Sequence, residues 1–397
     1  MKYDVIIIGA GPAGQSLACA LDDAGLNVAL IEKQPETAIA EPQYDGREIA
    51  LTHLSVKILR KLGVWDNAMA ENANPMLGAR VIDGTSDHTL AFDRPDPHLD
   101  ALGYMLSNHR IRHHLYQRIK TLKNLALFFE QSVTAIETNA SGGSVTLEDG
   151  RILNAPLVIA ADSRFSQVRR MMGIPAEMND FARVAIVCRM RHEKPHQQLA
   201  WECFHYGRTL AILPLADNEC SAVITLPAHL APSVKNMDEA AFSADIQKRF
   251  GNRLGRMELA GERFAYPLVG VHARRFISQR FALLGDAAVG MHPVTAHGFN
   301  LGLRGSDTLA QEIIKTHSKG QDIGSNKVLG VYQREHTLVT RPLYHGTNGI
   351  VSLFTNDRIP AKLARKAVLH LSNRLPPLKK AISAMLTETH PKKLLPF

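Results

Sequence analysis

"YDVIIIGAGPAGQSLACALDDAGLNVALIEK", Tyr3 to Lys33, decides the fold. Val5 to Ile8 is a β-branched run, the mark of a parallel strand buried on both faces. Gly9, Gly11 and Gly14 follow at the spacing GxGxxG. There the first glycine permits a tight turn, the second lets backbone approach a pyrophosphate, and the third lets helix pack on strand. Pro12 and Ala13 open a helix whose free N–H groups and partial positive charge favour phosphates. Val28 to Ile31 reads as a second strand that ends on Glu32, with Lys33 beside it. An acid at that distance past the glycines accepts a bond from a ribose hydroxyl. The strand–turn–helix–strand–acid context predicts a dinucleotide site, and it suits NAD or FAD.

A chain of 397 residues exceeds what one core usually serves, so two or more domains are expected. With 45% hydrophobic and 21% charged residues and no low-complexity tract, it reads as globular, not disordered. Cys19, Cys188, Cys203 and Cys220 are scattered with no CxxC pair. That predicts free thiols in a reducing compartment, with neither a disulfide framework nor a metal site. Val5 to Ala10 is too short for a signal peptide, and no apolar stretch reaches the roughly 18 residues of a membrane span. The net charge of +8 comes without a nucleic-acid motif or aromatic interleaving, so no nucleic-acid partner is expected.

A second stretch, "GDAAVGMHPVTAHGFNLGLRG" (285–305), sits between an apolar run, Phe281 to Leu284, and an apolar-periodic one, Leu301 to Ile314. It reads as strand, loop and helix. Asp286 looks buried at the strand end. It is either a helix cap or an acceptor for the ribityl hydroxyls of a flavin. A helix starting near Gly298 would aim its N–H groups at the flavin's pyrimidine edge, where reduction places negative charge. Pro293 would stiffen the loop that faces the ring.

With these residues in view, the chain resembles the FAD-dependent aromatic hydroxylases of the para-hydroxybenzoate hydroxylase type. Within them it is similar to the ubiquinone-biosynthesis hydroxylases. The resemblance spans the whole chain. It rests further on "GREIALTHLSVKILRKLGVW" (46–65) with Arg47, "MLSNHRIRHHL" (105–115) with Asn108 and Arg112, and "VIAADSRFSQVRRMMGI" (158–174) with Asp162. "FHYGRTLAILPLAD" (204–217) and the tail "NDRIPAKLARKAVLHLSNRLPPLKKAISAMLT" (356–387) point to the ubiquinone branch.

The resemblance implies an α/β protein: a discontinuous Rossmann-type FAD-binding domain over 1–75, 103–175 and 270–335. It implies an inserted, mainly antiparallel substrate sheet over 76–102 and 176–269, and a basic helical region over 336–397. It implies FAD, NADPH or NADH as electron donor, and O2, with oxygen passing to a polyprenylated phenol or quinol by way of a flavin C4a-hydroperoxide. The ring position is a demethoxyubiquinol-type one or relaxed. His297, Pro293 and Arg47 are expected at the reaction site. Cofactor contacts are expected from Gly9, Gly11, Pro12, Ala13, Gly14, Glu32, Lys33, Arg47, Asn108, Arg112, Val133, Asp162, Asp286, Pro293, Ala296, His297, Gly298, Phe299 and Asn300.

Two departures stand out. Ser163 follows Asp162 where the family usually has glycine, which leaves the NAD(P)H contact open. Ala296-His297 replaces the usual Gly-Gln, a variation similar to that of the UbiM subgroup, which is relaxed about ring position. His205, Phe204, Tyr206 and Leu213 are candidates to face the substrate, or are ordinary sheet residues. Residues 358–397 carry nine Lys/Arg against one acid, Glu388. Leu363, Ala364, Ala367, Val368 and Leu371 share a helical face, with Lys362, Arg365 and Lys366 off it. This predicts a helix lying on an anionic membrane surface or one packed on the core with a solvated basic face. A cytoplasmic enzyme, peripheral on the inner membrane and working beside other ubiquinone-biosynthesis enzymes, is the corresponding expectation. The rivals are an FAD monooxygenase of a small soluble aromatic compound, and a non-catalytic FAD-binding scaffold of a quinone-biosynthesis complex. The Trp-x-Trp of flavin halogenases is absent, since the tryptophans are Trp65 and Trp201.

Overall fold

The computed structural model describes residues 3–84, 89–94, 99–205, 207–293, 297–355, 358, 360, 361, 365, 382–384, 387 and 388. Tyr206, Ala296 and the proposed apolar face of the tail lie outside them.

The first sheet has the order Ile277–Ser278, Phe281–Leu283, Leu157–Ala160, Val5–Ile8, Val28–Ile31, Leu125–Phe128. Val5–Ile8 pairs in parallel on both sides, with Ile7 opposite Leu30 and Ile159. Its residues and those of Val28–Ile31 are all buried, which is why both strands are unbroken apolar runs and not alternating ones. Helices Pro12–Asp22 and His297–His317 pack together on this sheet. Gly285 and Gly302 lie against Ala13, so the two helices begin side by side.

The second sheet runs Val289–Gly290, Phe264–Ala273, Ala176–His192, Glu219–Pro227, Arg208–Pro214, Leu199–His205, Gly78–Asp83, Thr89–Asp93. Its pairings are antiparallel except that of Leu199–His205 with Gly78–Asp83. Alternation assigns its faces. Ile186, Cys188, Cys203, Leu210, Ile212 and Ile224 turn one way into a closed core under helix Glu239–Arg249. The other face turns toward the first sheet. There Tyr266 Oη donates to the Asp45 carbonyl (2.6 Å), Arg189 Nη2 donates to Glu48 Oε1 (2.8 Å), and Phe181 meets His292 edge to face at 4.8 Å. The expected architecture, a Rossmann-type sheet with an inserted antiparallel one, is the one observed.

Helix Asn326–Phe354 covers the first sheet's edge, with Tyr332 Oη donating to the Leu283 carbonyl (2.7 Å). The tail is tied to this body at two charged points. Glu388 is buried and accepts from Thr52 Oγ1 (2.9 Å) and Arg304 Nη1 (3.1 Å). Arg365 is also buried, with Nη1 donating to the Phe354 carbonyl (2.7 Å) and Nε 3.7 Å from Asp83. This corrects the expectation that Arg365 stands on a basic outer face. Its buried counter-charge, Asp83, is 282 positions earlier in the sequence, beyond the reach of helical periodicity. No helix of the described residues is long and apolar enough to cross a membrane. All four cysteines are free and buried.

Candidate functional site

The site forms where helices Pro12–Asp22 and His297–His317 begin. Gly9 has φ +109°, and a Cβ there would collide with the Ala161 carbonyl. A Cβ on Gly14 would collide with the carbonyl of Gly9. These two glycines are required by the protein's own packing. Gly11 is not: a Cβ there meets no described residue within 4 Å. A residue kept small without a protein neighbour leaves room for something else, and it stands at a helix N-terminus. Gly298 repeats the arrangement, with no described residue within 4 Å of its Cβ position, in the first turn of the second helix. Two open helix starts side by side fit a ligand with a pyrophosphate at one end and an electron-accepting ring at the other, which describes FAD.

Around the first helix start, Glu32 is fixed by the N–H groups of Ala10 (2.8 Å, to Oε2) and Gln34 (3.0 Å, to Oε1), with Lys33 exposed beside it. Gln131 N donates to the Glu32 carbonyl (3.1 Å), which brings buried Val133 alongside. Asp162 follows the strand beside Gly9. One of its oxygens accepts from Gln167 N (3.1 Å), while Oδ1 is buried with no hydrogen-bond partner among the described residues. Ser163 does not take a positive φ, so the position does not require the glycine the family usually has there.

Arg47 donates to Asp45 (2.6 Å) and lies 5.4 Å over the Tyr266 ring. Asn108 Nδ2 donates to the same carboxylate (2.8 Å). Burial alone would raise the pKa of Asp45, but Arg47 and Asn108 hold it below the usual carboxylate range. Arg112 lies within the field of Arg47, Asp45 and Glu32. Arg47 therefore groups with Arg112 near the first helix start, where phosphates would lie. Its described contacts are Asp45 and the Tyr266 ring.

At the second helix start, Asp286 is not the buried group its flanks suggest. Its side chain is 44% exposed and accepts from Arg164 Nη2 (3.2 Å). Arg164 also donates to the Val269 carbonyl (2.8 Å), and Arg169 holds the turn by donating to the Ala287 carbonyl (2.9 Å). The carboxylate thus stands oriented at a strand end with acceptor capacity left over. His297 is buried, Gly298 and Phe299 are partly so, and Pro293 is exposed. His292, just before Pro293, is pushed down to about 4 by burial and by Arg183 and Arg164, so the imidazole there is neutral at pH 7.

Asn300 was expected to touch the cofactor, but its side chain is committed elsewhere. Oδ1 accepts from Thr52 N (3.1 Å) and Ser55 Oγ (2.7 Å), and Nδ2 donates to the Ala50 carbonyl (2.8 Å). It pins the helix start to the segment that carries Arg47. Asn300→Ala should therefore cost about 2–3 kcal/mol, because it strands buried donors and an acceptor. A melting temperature lowered by several degrees checks this; an unchanged one would contradict it.

His205 lies on the wrong face for the substrate. It follows Cys203 by two positions, so it turns toward helix Glu239–Arg249, where Arg249 and Arg253 surround it. Phe204 and Leu213 do turn inward. Sequence reasoning missed Asp45, Arg164, Glu48 and Arg189. Only Asp45, two residues from Arg47 and accepting its N–H (3.1 Å), had a local signal. No group of three His, Cys, Asp or Glu among the described residues could hold a metal ion.

Residues 2–345 match the family described as FAD binding domain. The chain is 47% identical to the ubiquinone hydroxylase UbiM of Neisseria meningitidis over 392 residues, covering 98% of this chain and 85% of that one. It is 35% identical to the ubiquinone hydroxylase UbiL of Rhodospirillum rubrum, over 95% of this chain and 87% of that one. Among solved structures, p-nitrophenol 4-monooxygenase PnpA of Pseudomonas putida superposes with a TM-score of 0.76 at 17% identity, over 97% of this chain and 98% of that one.

Proposed function

Because the chain belongs to the FAD-binding family that includes the ubiquinone hydroxylases, we propose that it is an FAD-dependent monooxygenase of ubiquinone biosynthesis. It adds one hydroxyl to the ring of a polyprenylated phenol or quinol. The observation that carries this is the pair of open helix starts at Gly11 and Gly298, in a chain that matches a ubiquinone hydroxylase along nearly its whole length. Bound there, FAD supplies the redox chemistry, taking electrons from NADPH or NADH and passing them to O2, of which one atom enters the ring and the other leaves as water.

The protein's own work is binding, orientation and exclusion of water. In this reading, Gly9, Gly11, Pro12, Ala13 and Gly14 present backbone N–H groups to the pyrophosphate. Glu32 accepts from the adenosine ribose, with Lys33 and Val133 beside it. Arg47 and Arg112 offset phosphate charge, held in place by Asp45 and Asn108. Asp286 accepts from the ribityl chain, and Asp162 lies on the approach of the nicotinamide donor. The N–H groups of Gly298, Phe299 and Asn300 favour negative charge at the reacting ring, and Pro293 and His297 border the substrate.

A polyprenylated substrate resides in a bilayer, so the enzyme works in the cytoplasm at the membrane face, beside the other enzymes of the route. Co-sedimentation with anionic vesicles tests that placement, and a protein that stays in the supernatant at low salt would contradict it. The function itself is tested by the mass profile of quinone intermediates in cells lacking this gene. One accumulated prenylphenol, short of a single ring oxygen, is expected and identifies the position; several such species indicate relaxed position. An unchanged ubiquinone pool, with no second hydroxylase present, would leave the small soluble aromatic compound as the substrate.

A further inference from the structure

Glu202 is an acid where the fold leaves no ordinary reason for one. It lies opposite Ala211 and Val81 in the second sheet, on the face that turns to the first sheet, while its neighbour Cys203 turns into the closed core. Along its row run Ala211, Val223, Val187 and Phe264; the next row holds Phe204, Thr209, Thr225, Ala185 and Tyr266. Phe264 packs against Gly46 and Tyr266 bonds to Asp45. The next row is mostly buried, while the row of Glu202 stays partly accessible at Ala211, Val223 and Phe264 and runs from Glu202 to the Arg47 segment. Glu202 stands at one end of this partly accessible row, deep in the fold and itself still partly solvent-accessible.

On the assumption that the substrate is a phenol or quinol, as proposed above, we propose that Glu202 hydrogen-bonds a ring oxygen of the substrate and fixes the ring's orientation in the pocket. The chemistry suits it. The Thr209 hydroxyl bonds its carboxyl, and burial, opposed by that single bond, pushes Glu202 up to about 8. Among the described residues the charged groups on the same face are engaged elsewhere: Asp83 with Arg365, Glu219 with Arg191, Arg189 with Glu48, and Arg183 with the Thr355 carbonyl. Among the described residues no cation offsets a carboxylate here, so the acid is neutral at pH 7 and offers both a donor and an acceptor. Above that value it loses the donor.

The test is ligand binding by the FAD-loaded enzyme, read from flavin absorbance without NAD(P)H, using 2-geranylphenol and unsubstituted phenol as probes. Both probes titrate near pH 10, well above the window. Wild-type affinity is expected to be flat below about pH 7.5 and to fall about tenfold per unit once Glu202 ionises. Glu202→Gln should bind normally at pH 7 and remain flat to about pH 9. Glu202→Leu should bind at least about tenfold more weakly at pH 7, with full FAD content. Wild-type affinity in the Leu variant, or an alkaline fall that survives in the Gln variant, would overturn the assignment. If phenol binds with this Glu202 dependence and the prenylated probe does not, the assignment stands and the polyprenyl substrate is what fails.

Discussion

Gly14→Val should yield protein that purifies without FAD. A Cβ at this position falls onto the Gly9 carbonyl, which is backbone and part of the tight turn itself. Gly9 N donates to the Ile31 carbonyl (2.7 Å), so the turn cannot back away without unpairing the central strands. The helix must move instead, and its N–H groups then miss the phosphates. Overpacking of this kind costs about 1–3 kcal/mol or more, and the lost alignment removes the anion site as well. Flavin absorbance of the purified variant and its melting curve measure the two effects. Stoichiometric yellow protein with an unchanged melting temperature would contradict this account of the first motif.

Asp286→Ala should lose cofactor by a different route, with the fold intact. Its only described partner is Arg164, at 3.2 Å, in a half-exposed pair, and such pairs contribute about 0–1 kcal/mol. Apoprotein stability should therefore barely change. Hydrogen bonds from hydroxyls to a charged acceptor contribute about 1.5–3 kcal/mol, so FAD affinity should fall roughly 10- to 100-fold. Asp286→Asn, which keeps an acceptor oxygen, should lie between. A variant with unchanged FAD affinity would return Asp286 to the role of a loop residue paired with Arg164.

Much of the fold was legible because it follows from short-range rules. Val5–Ile8 and Val28–Ile31 are apolar throughout since both faces are covered, and the glycine spacing between them has one reading. The strands of the second sheet, implied by the resemblance, do alternate between the closed core and the face toward the first sheet. What stayed hidden depends on partners far away in sequence. Asp286 sits among apolar residues and is nevertheless half exposed, because Arg164 meets it from another strand end. Arg365 belongs to a basic helical pattern and is nevertheless buried, because Asp83 waits for it. Asn300 carries the look of a ligand residue, yet Thr52, Ser55 and Ala50 use its side chain. Glu202 gives no such signal, since alternation says that it turns inward but not that the row beside it, at Ala211 and Val223, stays partly accessible.

The most direct measurement is turnover under labelled oxygen. The FAD-loaded enzyme would be given NADPH or NADH, a polyprenylated phenol and 18O2, and the product analysed by mass. The account predicts a ring-hydroxylated product that carries one labelled atom, with NAD(P)H consumption stimulated by the phenol. NAD(P)H oxidation that proceeds equally without the phenol and leaves it unlabelled would contradict the central claim.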